Sequence, residues 1–139
     1  MANQLNVQII EQGVRNAIVK ITGILDTSNQ ASTVVVDPAN FSGNAPDNQS
    51  NWQHPDHFRI DYIDYSIQDQ LEVTLWWAGT PDLPIVPLAG RGRMPFWNFG
   101  GLPDNASTPT GQIKLSTTGW ASGTQVFTLV LELVKRYKN

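Results

Sequence analysis

The short segment His54-Pro55-Asp56-His57 holds both histidines of the chain beside a carboxylate, and these side chains are of the kinds that bind zinc. Pro55 stiffens the segment, and the further ligands of a tetrahedral site do not follow at a recognisable spacing. Because the chain has no cysteine, thiol ligands and thiol catalysis are excluded. We therefore predict loop histidines that lead into a strand, with no metal and no cofactor.

Asp61 and Asp64 are a candidate carboxylate pair of the glycosidase type. Strand alternation puts residues three apart on opposite faces, so only a bulge between them would bring both onto one face. Outward-facing polar positions explain the two aspartates as well. No serine or threonine has a supporting histidine–carboxylate arrangement, and no Gly-rich phosphate loop opens a helix. The sequence predicts a protein that is not an enzyme.

Arg91-Gly92-Arg93 is the only local concentration of positive charge before the C-terminal tail. Its guanidinium groups suit a carboxylate or phosphate on a partner, although a salt bridge within the domain or to a neighbouring subunit is the more ordinary explanation. The net charge of -3 argues against non-specific nucleic-acid binding. No window approaches the ~20 apolar residues that a membrane helix needs, so we predict neither nucleic acid nor membrane as a partner.

Three of the five tryptophans lie between residues 71 and 102. Trp76 and Trp77 are neighbours in a predicted strand, so by alternation at most one of them lies in the core. Aromatic side chains are enriched at the centres of interfaces, and exposed patches of them usually mean recognition. We predict a partner-facing surface of five residues: Trp77, Arg91, Arg93, Phe96 and Trp97. The alternative is that a long polar loop at residues 38–55 covers the aromatics, with Phe41 and Trp52 as its cap.

Period-2 alternation between Gly-, Pro- and Asn-rich turns predicts an all-β fold, a single-domain sandwich or jelly roll of eight or nine mostly antiparallel strands. The strands lie near residues 5–10, 14–25, 30–37, 58–67, 71–77, 83–88, 111–116 and 126–134. The last is apolar on both faces and should be central, while the proline-rich segment 83–88 should be an edge strand or an extended connection.

Four local features sharpen this prediction. Gly23 indicates a bulge or a close backbone approach, and the alternation of segment 58–67 slips near Tyr62-Ile63, which a bulge would explain. The tight link at residues 68–70 predicts that the strands on either side form a hairpin. Residues 135–138 should be a solvated tail.

At 139 residues the chain has the length of one domain, and only 15% of its residues are charged. It does not begin with a basic region followed by an apolar core, so we predict no secretory signal.

The chain resembles the small virion structural proteins of tailed bacteriophages, in particular the head decoration or cement proteins. The resemblance rests on LNVQIIEQGVRNAIVKITGILDTS, FRIDYIDYSIQDQLEVTLWW, PIVPLAGRGRMPFWNFGGL and GQIKLSTTGWASGTQVFTLVLELVK, which together span nearly all of the chain except residues 38–55. It implies a β-rich, non-enzymatic homotrimer that binds the major capsid protein on the virion surface and is made in the host bacterial cytoplasm. Under this interpretation the N-terminal strand, residues 1–12, could add to an edge of a partner.

A carbohydrate- or receptor-binding module is the alternative function. Jelly rolls readily host lectins, and an exposed tryptophan beside Asn and Asp is a usual platform for a sugar ring. The fold alone does not separate the two functions.

Overall fold

The computed structural model describes residues 3–13, 15–41 and 55–136, and within these ranges the chain forms nine β-strands and two short 3₁₀ turns. In chain order the strands are β1 Gln4–Gln12, β2 Asn16–Leu25, β3 Thr33–Val36, β4 His57–Ile67, β5 Glu72–Trp77, β6 Leu83–Leu88, β7 Arg91–Pro95, β8 Ile113–Thr118 and β9 Gln125–Arg136. The turns are Pro38–Asn40 and Trp97–Phe99.

The nine strands form two antiparallel sheets that pack face to face as a β-sandwich. One sheet has the order β1-β2-β9-β4-β7 and the other β3-β8-β5-β6. Strands β2 to β9 thus follow the jelly-roll arrangement of two four-stranded sheets, and β1 is an extra strand at one edge. The predicted all-β fold class is confirmed. The sequence prediction placed no strand at β7.

Strand β9 is central, as its apolar pattern predicts, and pairs with β2 on one side and β4 on the other. Its inward side chains are at most 1% exposed: Phe127, Leu129, Leu131 and Leu133. Strand β6, the proline-rich segment, is an edge strand as predicted. Between the sheets these strands enclose one hydrophobic core.

Two predicted backbone irregularities are confirmed. The register of β4 against β9 shifts between Ile60 and Tyr62, so a bulge at Asp61 lets Ile60 and Ile63 both point inward at 0% exposure. Gly23 is paired with Phe127, and a Cβ added there would overlap the Cε1 and Cζ atoms of that ring. The glycine therefore makes room for the largest side chain of β9.

The predicted hairpin between β4 and β5 is wrong, because the two strands lie in different sheets. At the link between them the Leu71 amide donates to the Gln68 carbonyl (3.1 Å), and Gln70 has a φ of 71°. A tight turn fixes only that the chain reverses direction. Here it carries the chain across the sandwich, from one sheet to the other.

The predicted solvated tail is wrong at Lys135, which is 3% exposed. Its Nζ donates to the Gln12 side-chain oxygen (2.9 Å) and to the Gly13 carbonyl (2.8 Å). Desolvation lowers the pKa of this ammonium group. The contact fastens the end of β9 to the end of β1.

Candidate functional site

Two of the five predicted partner-facing residues belong to the core. Trp77 is 2% exposed and Phe96 is 9% exposed, and both pack within the hydrophobic cluster between the sheets. Trp77 has the same parity as Val73 and Leu75, which also point inward. The prediction that Trp77 and Phe96 face a partner is therefore wrong.

The outward member of the tryptophan pair is Trp76, whose Nε1 donates to Ser116 Oγ on the neighbouring strand (2.9 Å). The predicted cap residue Phe41 is 3% exposed and meets Phe58 edge to face at 4.8 Å, so it is part of the core. Trp52, the other residue of the predicted cap, lies outside the described residues.

Trp97 is exposed and lies on a turn that the rest of the fold holds in place. The turn is fixed by a bond from the Phe96 amide to the Asp61 carbonyl (2.8 Å) and one from the Gly101 amide to the Phe96 carbonyl (2.8 Å). The Trp97 side chain is 53% exposed and stacks on Tyr62, with ring centroids 5.1 Å apart and an interplanar angle of 22°. Trp97 is thus a rigid aromatic surface on the outside of the molecule.

Arg91 and Arg93 are exposed on the edge strand β7, in register with Ser66 and Asp64 of β4. Neither arginine forms a salt bridge within the part of the chain that the structure describes. Their assignment as partner contacts stays a prediction, as does that of Trp97.

A groove of about 390 Å³ runs beside Trp97 across the outer face of the five-stranded sheet. Besides Trp97 its lining includes Ile18 of β2 and a set of polar side chains: Glu11, Arg15, Asn16, Asp61 and Glu132. Glu132 lies directly opposite Tyr62 in the β4–β9 register, so the groove begins where the Trp97–Tyr62 stack ends. The sequence prediction included Trp97 but missed the polar wall, because that wall comes from strands distant in sequence.

A second opening, of about 360 Å³, lies between β1 and β3 at one edge of the sandwich. Val7 and Ile9 are in register with the inward-facing Ile21 and Val19, so they point into the sandwich. They are nevertheless 40% and 36% exposed, since the four-stranded sheet has no strand opposite β1 among the described residues. We call this opening the β1–β3 gap; its lining consists of Val7, Ile9, Val34, Val35, Asp37, Asn40 and Phe41.

The histidine segment does not form a metal site in the described residues. His54 lies outside them, while Asp56 Oδ2 and His57 Nδ1 are 2.9 Å apart. Within the described ranges no group of three or more His, Asp or Glu side chains could hold a metal ion.

The two candidate catalytic aspartates do not line one pocket. Asp61 lines the groove and accepts hydrogen bonds from Arg59 Nε (2.8 Å) and Nη2 (3.2 Å). Asp64 does not line the groove and lies in register with Arg93 on β7. The two aspartates therefore do not share the groove.

The carboxylate of Asp104 is partly buried, and burial disfavours its charged form. Its Oδ1 accepts a hydrogen bond from the Ala106 amide (3.2 Å), but its buried Oδ2 has no partner among the described residues. Desolvation raises its pKa, so the folded state loses stability as the pH rises through that raised value. We expect Asp104→Asn to be more stable than the wild type at pH 7, by up to about 1 kcal/mol, with the difference vanishing near pH 4. Thermal melts at the two pH values measure it.

Asp82→Asn is the matched comparison, with the opposite expected sign. A bond from the Gly79 amide (3.0 Å) and another from Lys114 Nζ (3.1 Å) lower the pKa of Asp82. Its stabilising effect is present above the unfolded-state pKa, about 4, and is lost as the pH falls further. This variant should melt below the wild type at pH 7 and approach it in acid. If both variants shift in the same direction at pH 7, the solvation argument for Asp104 is wrong.

The fold defines the class of this protein, a jelly-roll β-sandwich with one added edge strand. No family model, curated protein or solved structure matches the chain. Among the described residues there is no helix of a length and apolarity that would let it cross a membrane.

Proposed function

We propose that this protein is a non-enzymatic virion structural protein, a decoration protein that binds the major capsid protein of a tailed bacteriophage. The observation that carries the proposal is the β1–β3 gap, where Val7, Ile9 and Val34 are 40%, 36% and 38% exposed beside two sheet edges that pair with no further strand in the described ranges. Clustered apolar surface beside unpaired strand edges favours binding to another chain. In this proposal the protein is made in the host bacterial cytoplasm and lies on the capsid surface.

The contrast between β1 and two other edge strands, β6 and β7, supports binding on the β1 side of the molecule. Strand β6 contains Pro84 and Pro87, and β7 contains Arg91, Arg93 and Pro95, residues that discourage the addition of a further strand. Strand β1 runs for nine residues with neither proline nor lysine, and its one bulge lies near its C-terminal end. Long unprotected edges are rare in natural sheets unless another chain pairs with them or covers them.

Strand β1 is also held firmly in its own sheet. At its start Asn3 Oδ1 accepts bonds from the Asp26 amide (2.9 Å) and the Thr27 amide (3.1 Å). At its end Lys135 holds the side chain of Gln12 (2.9 Å). These contacts favour a partner that adds to the edge of this protein over an N-terminal strand that leaves to join a partner.

The proposed occupant of the gap is an extended segment of the major capsid protein with alternating apolar residues. Beside β3 it would add a fifth strand to the smaller sheet, bonded to the backbone edge of β3 with which no described strand pairs. Its inward side chains would contact Val7 and Ile9 and remove their exposed apolar surface from water.

The predicted homotrimer needs two different surfaces on each copy, because a ring closes through head-to-tail contacts. Arg91 and Arg93 are exposed on β7, which forms the edge of the five-stranded sheet farthest from β1. We assign Arg91 and Arg93 to the second surface, which leaves Trp97 exposed beside the groove. Repetition of each contact around the axis would convert modest contacts into tight attachment. The role requires no cofactor, nucleic acid or membrane.

Phage heads assembled with this gene deleted test the proposal. Purified protein added back should bind to a fixed number of sites per head and raise the temperature at which the heads rupture. Failure to bind at micromolar protein concentration would contradict the proposed decoration function. Light scattering of the free protein should give three times the chain mass of 15.4 kDa. A monomer would contradict the proposed trimer, but the add-back experiment would still decide whether the protein attaches to heads.

A further inference from the structure

The groove beside Trp97 lies on the opposite face of the five-stranded sheet from the β1–β3 gap, so both can be occupied at once. Its volume of about 390 Å³ is within the range of small-ligand sites, roughly 300–1,000 Å³. We propose that this groove binds a neutral oligosaccharide, a function separate from attachment to a capsid.

The aromatic wall of the groove is preorganised for a pyranose ring. Tyr62 covers one face of the Trp97 indole, so the exposed half of the side chain offers its other face and its edge. The buried Phe96 and the hydrogen bonds of the turn fix the position of the indole. A flat, rigid aromatic surface that needs no ordering on binding suits the apolar C–H face of a sugar.

The polar wall supplies hydrogen-bonding groups that the fold does not use. The side chains of Arg15, Asn16 and Glu132 make no hydrogen bond within the described part of the chain. Asp61 differs, because its carboxylate already accepts two hydrogen bonds from the Arg59 guanidinium. Carboxylate, amide and guanidinium groups at one site can together accept from and donate to sugar hydroxyls.

The charge of the groove selects among sugars. Three carboxylates line it, those of Glu11, Asp61 and Glu132. Arg59 pairs with Asp61, and Arg15 is the single cationic lining residue, so one carboxylate remains in excess. A sugar acid would meet like charges there, and this would oppose its binding. The expected ligand is therefore a neutral chain of pyranose rings, and a sialylated or uronic glycan should be excluded.

Isothermal titration calorimetry against four defined probes tests the proposal: cellotetraose, maltotetraose, tetra-N-acetylchitotetraose and the acidic control sialyllactose. At least one neutral tetrasaccharide should bind at micromolar to millimolar concentration, and sialyllactose should not. Trp97→Ala should weaken that binding about tenfold or more, because an aromatic anchor at the centre of a contact surface contributes most of its affinity. Calorimetry is preferred to fluorescence, since this substitution removes the reporting indole.

Two further variants separate a true site from a folding defect. Glu132→Gln keeps the shape of the polar wall and should weaken binding with no change in melting temperature. Trp120→Phe, in the distant β8–β9 loop, should leave affinity unchanged. The proposal is overturned if no neutral probe binds at 10 mM, if only sialyllactose binds, or if Trp97→Ala binds as the wild type does.

Discussion

Val7→Lys should weaken attachment to phage heads on the order of 100-fold while leaving the fold intact. The side chain points into the β1–β3 gap, where the proposed capsid segment would bury it, and a lysine there would bring an unpaired charge into that contact. Truncated or charged anchors in buried contacts lose on the order of 100-fold in affinity. Because Val7 is 40% exposed, the lysine of the free protein can extend into water, at a cost below about 1 kcal/mol.

The matched control is Asn6→Lys, one residue earlier on the outer face of the same strand, opposite Thr22. It adds the same charge to β1 but leaves the gap unchanged, so it should bind heads as the wild type does. Co-sedimentation with heads measures both variants, and a thermal melt checks that both are folded. Equal loss in the two variants would show that charge, not the gap, governs attachment.

Gly23→Ala should strongly lower the free energy of unfolding. The new Cβ would overlap the Phe127 ring, which is 1% exposed and packs within the close-packed core. Overpacking of this kind costs about 3 kcal/mol, which corresponds to a fall in melting temperature of roughly 10 °C for a domain of this size. Gly13→Ala, whose added Cβ would lie 3.7 Å from the Asn16 carbonyl oxygen, is the near-neutral control.

A double-mutant cycle identifies Phe127 as the cause. Phe127→Leu alone should cost about 1–2 kcal/mol, and in that background Gly23→Ala should cost at least 1 kcal/mol less than in the wild type. Urea unfolding of the four proteins gives the coupling energy. Additive costs would mean that backbone effects at the glycine, and not contact with the ring, limit the substitution.

The parts of the fold that follow from local pattern were predictable from sequence. Period-2 alternation located eight strands, the apolar last strand was correctly central, and the prolines of β6 correctly marked an edge. The slip in alternation located the bulge to within one residue, and Gly23 correctly indicated a close approach. These features depend on a few neighbouring residues and on sterics that are the same in every sheet.

What required the structure depends on contacts between distant segments. The turn at residues 68–71 could belong to a hairpin or to a corner between sheets, and only the packing of both strands decides. Lys135 is buried because β1 ends beside it, which no window around the lysine reveals. One error was avoidable, since Trp77 has the same parity as Val73 and Leu75 and could have been assigned to the core.

The candidate sites divide in the same way. Exposure of Trp97 agrees with the surface that the sequence predicted, whereas Tyr62 and Glu132 come beside it only through the pairing of β4 with β9. The β1–β3 gap exists because, in the part of the chain that the structure describes, one sheet is a strand wider than the other, a property of the whole topology. Neither arrangement has a signal within a single stretch of the chain.

Amide hydrogen exchange, compared between the free protein and the protein bound to phage heads, tests the central claim most directly. If the capsid segment enters the β1–β3 gap, the amides of β1 and β3 should exchange more slowly on heads, while those of the proline-marked edge β6 should not change. Protection confined to β7 and the Trp97 turn, with β1 and β3 exchanging as in the free protein, would contradict attachment through the gap.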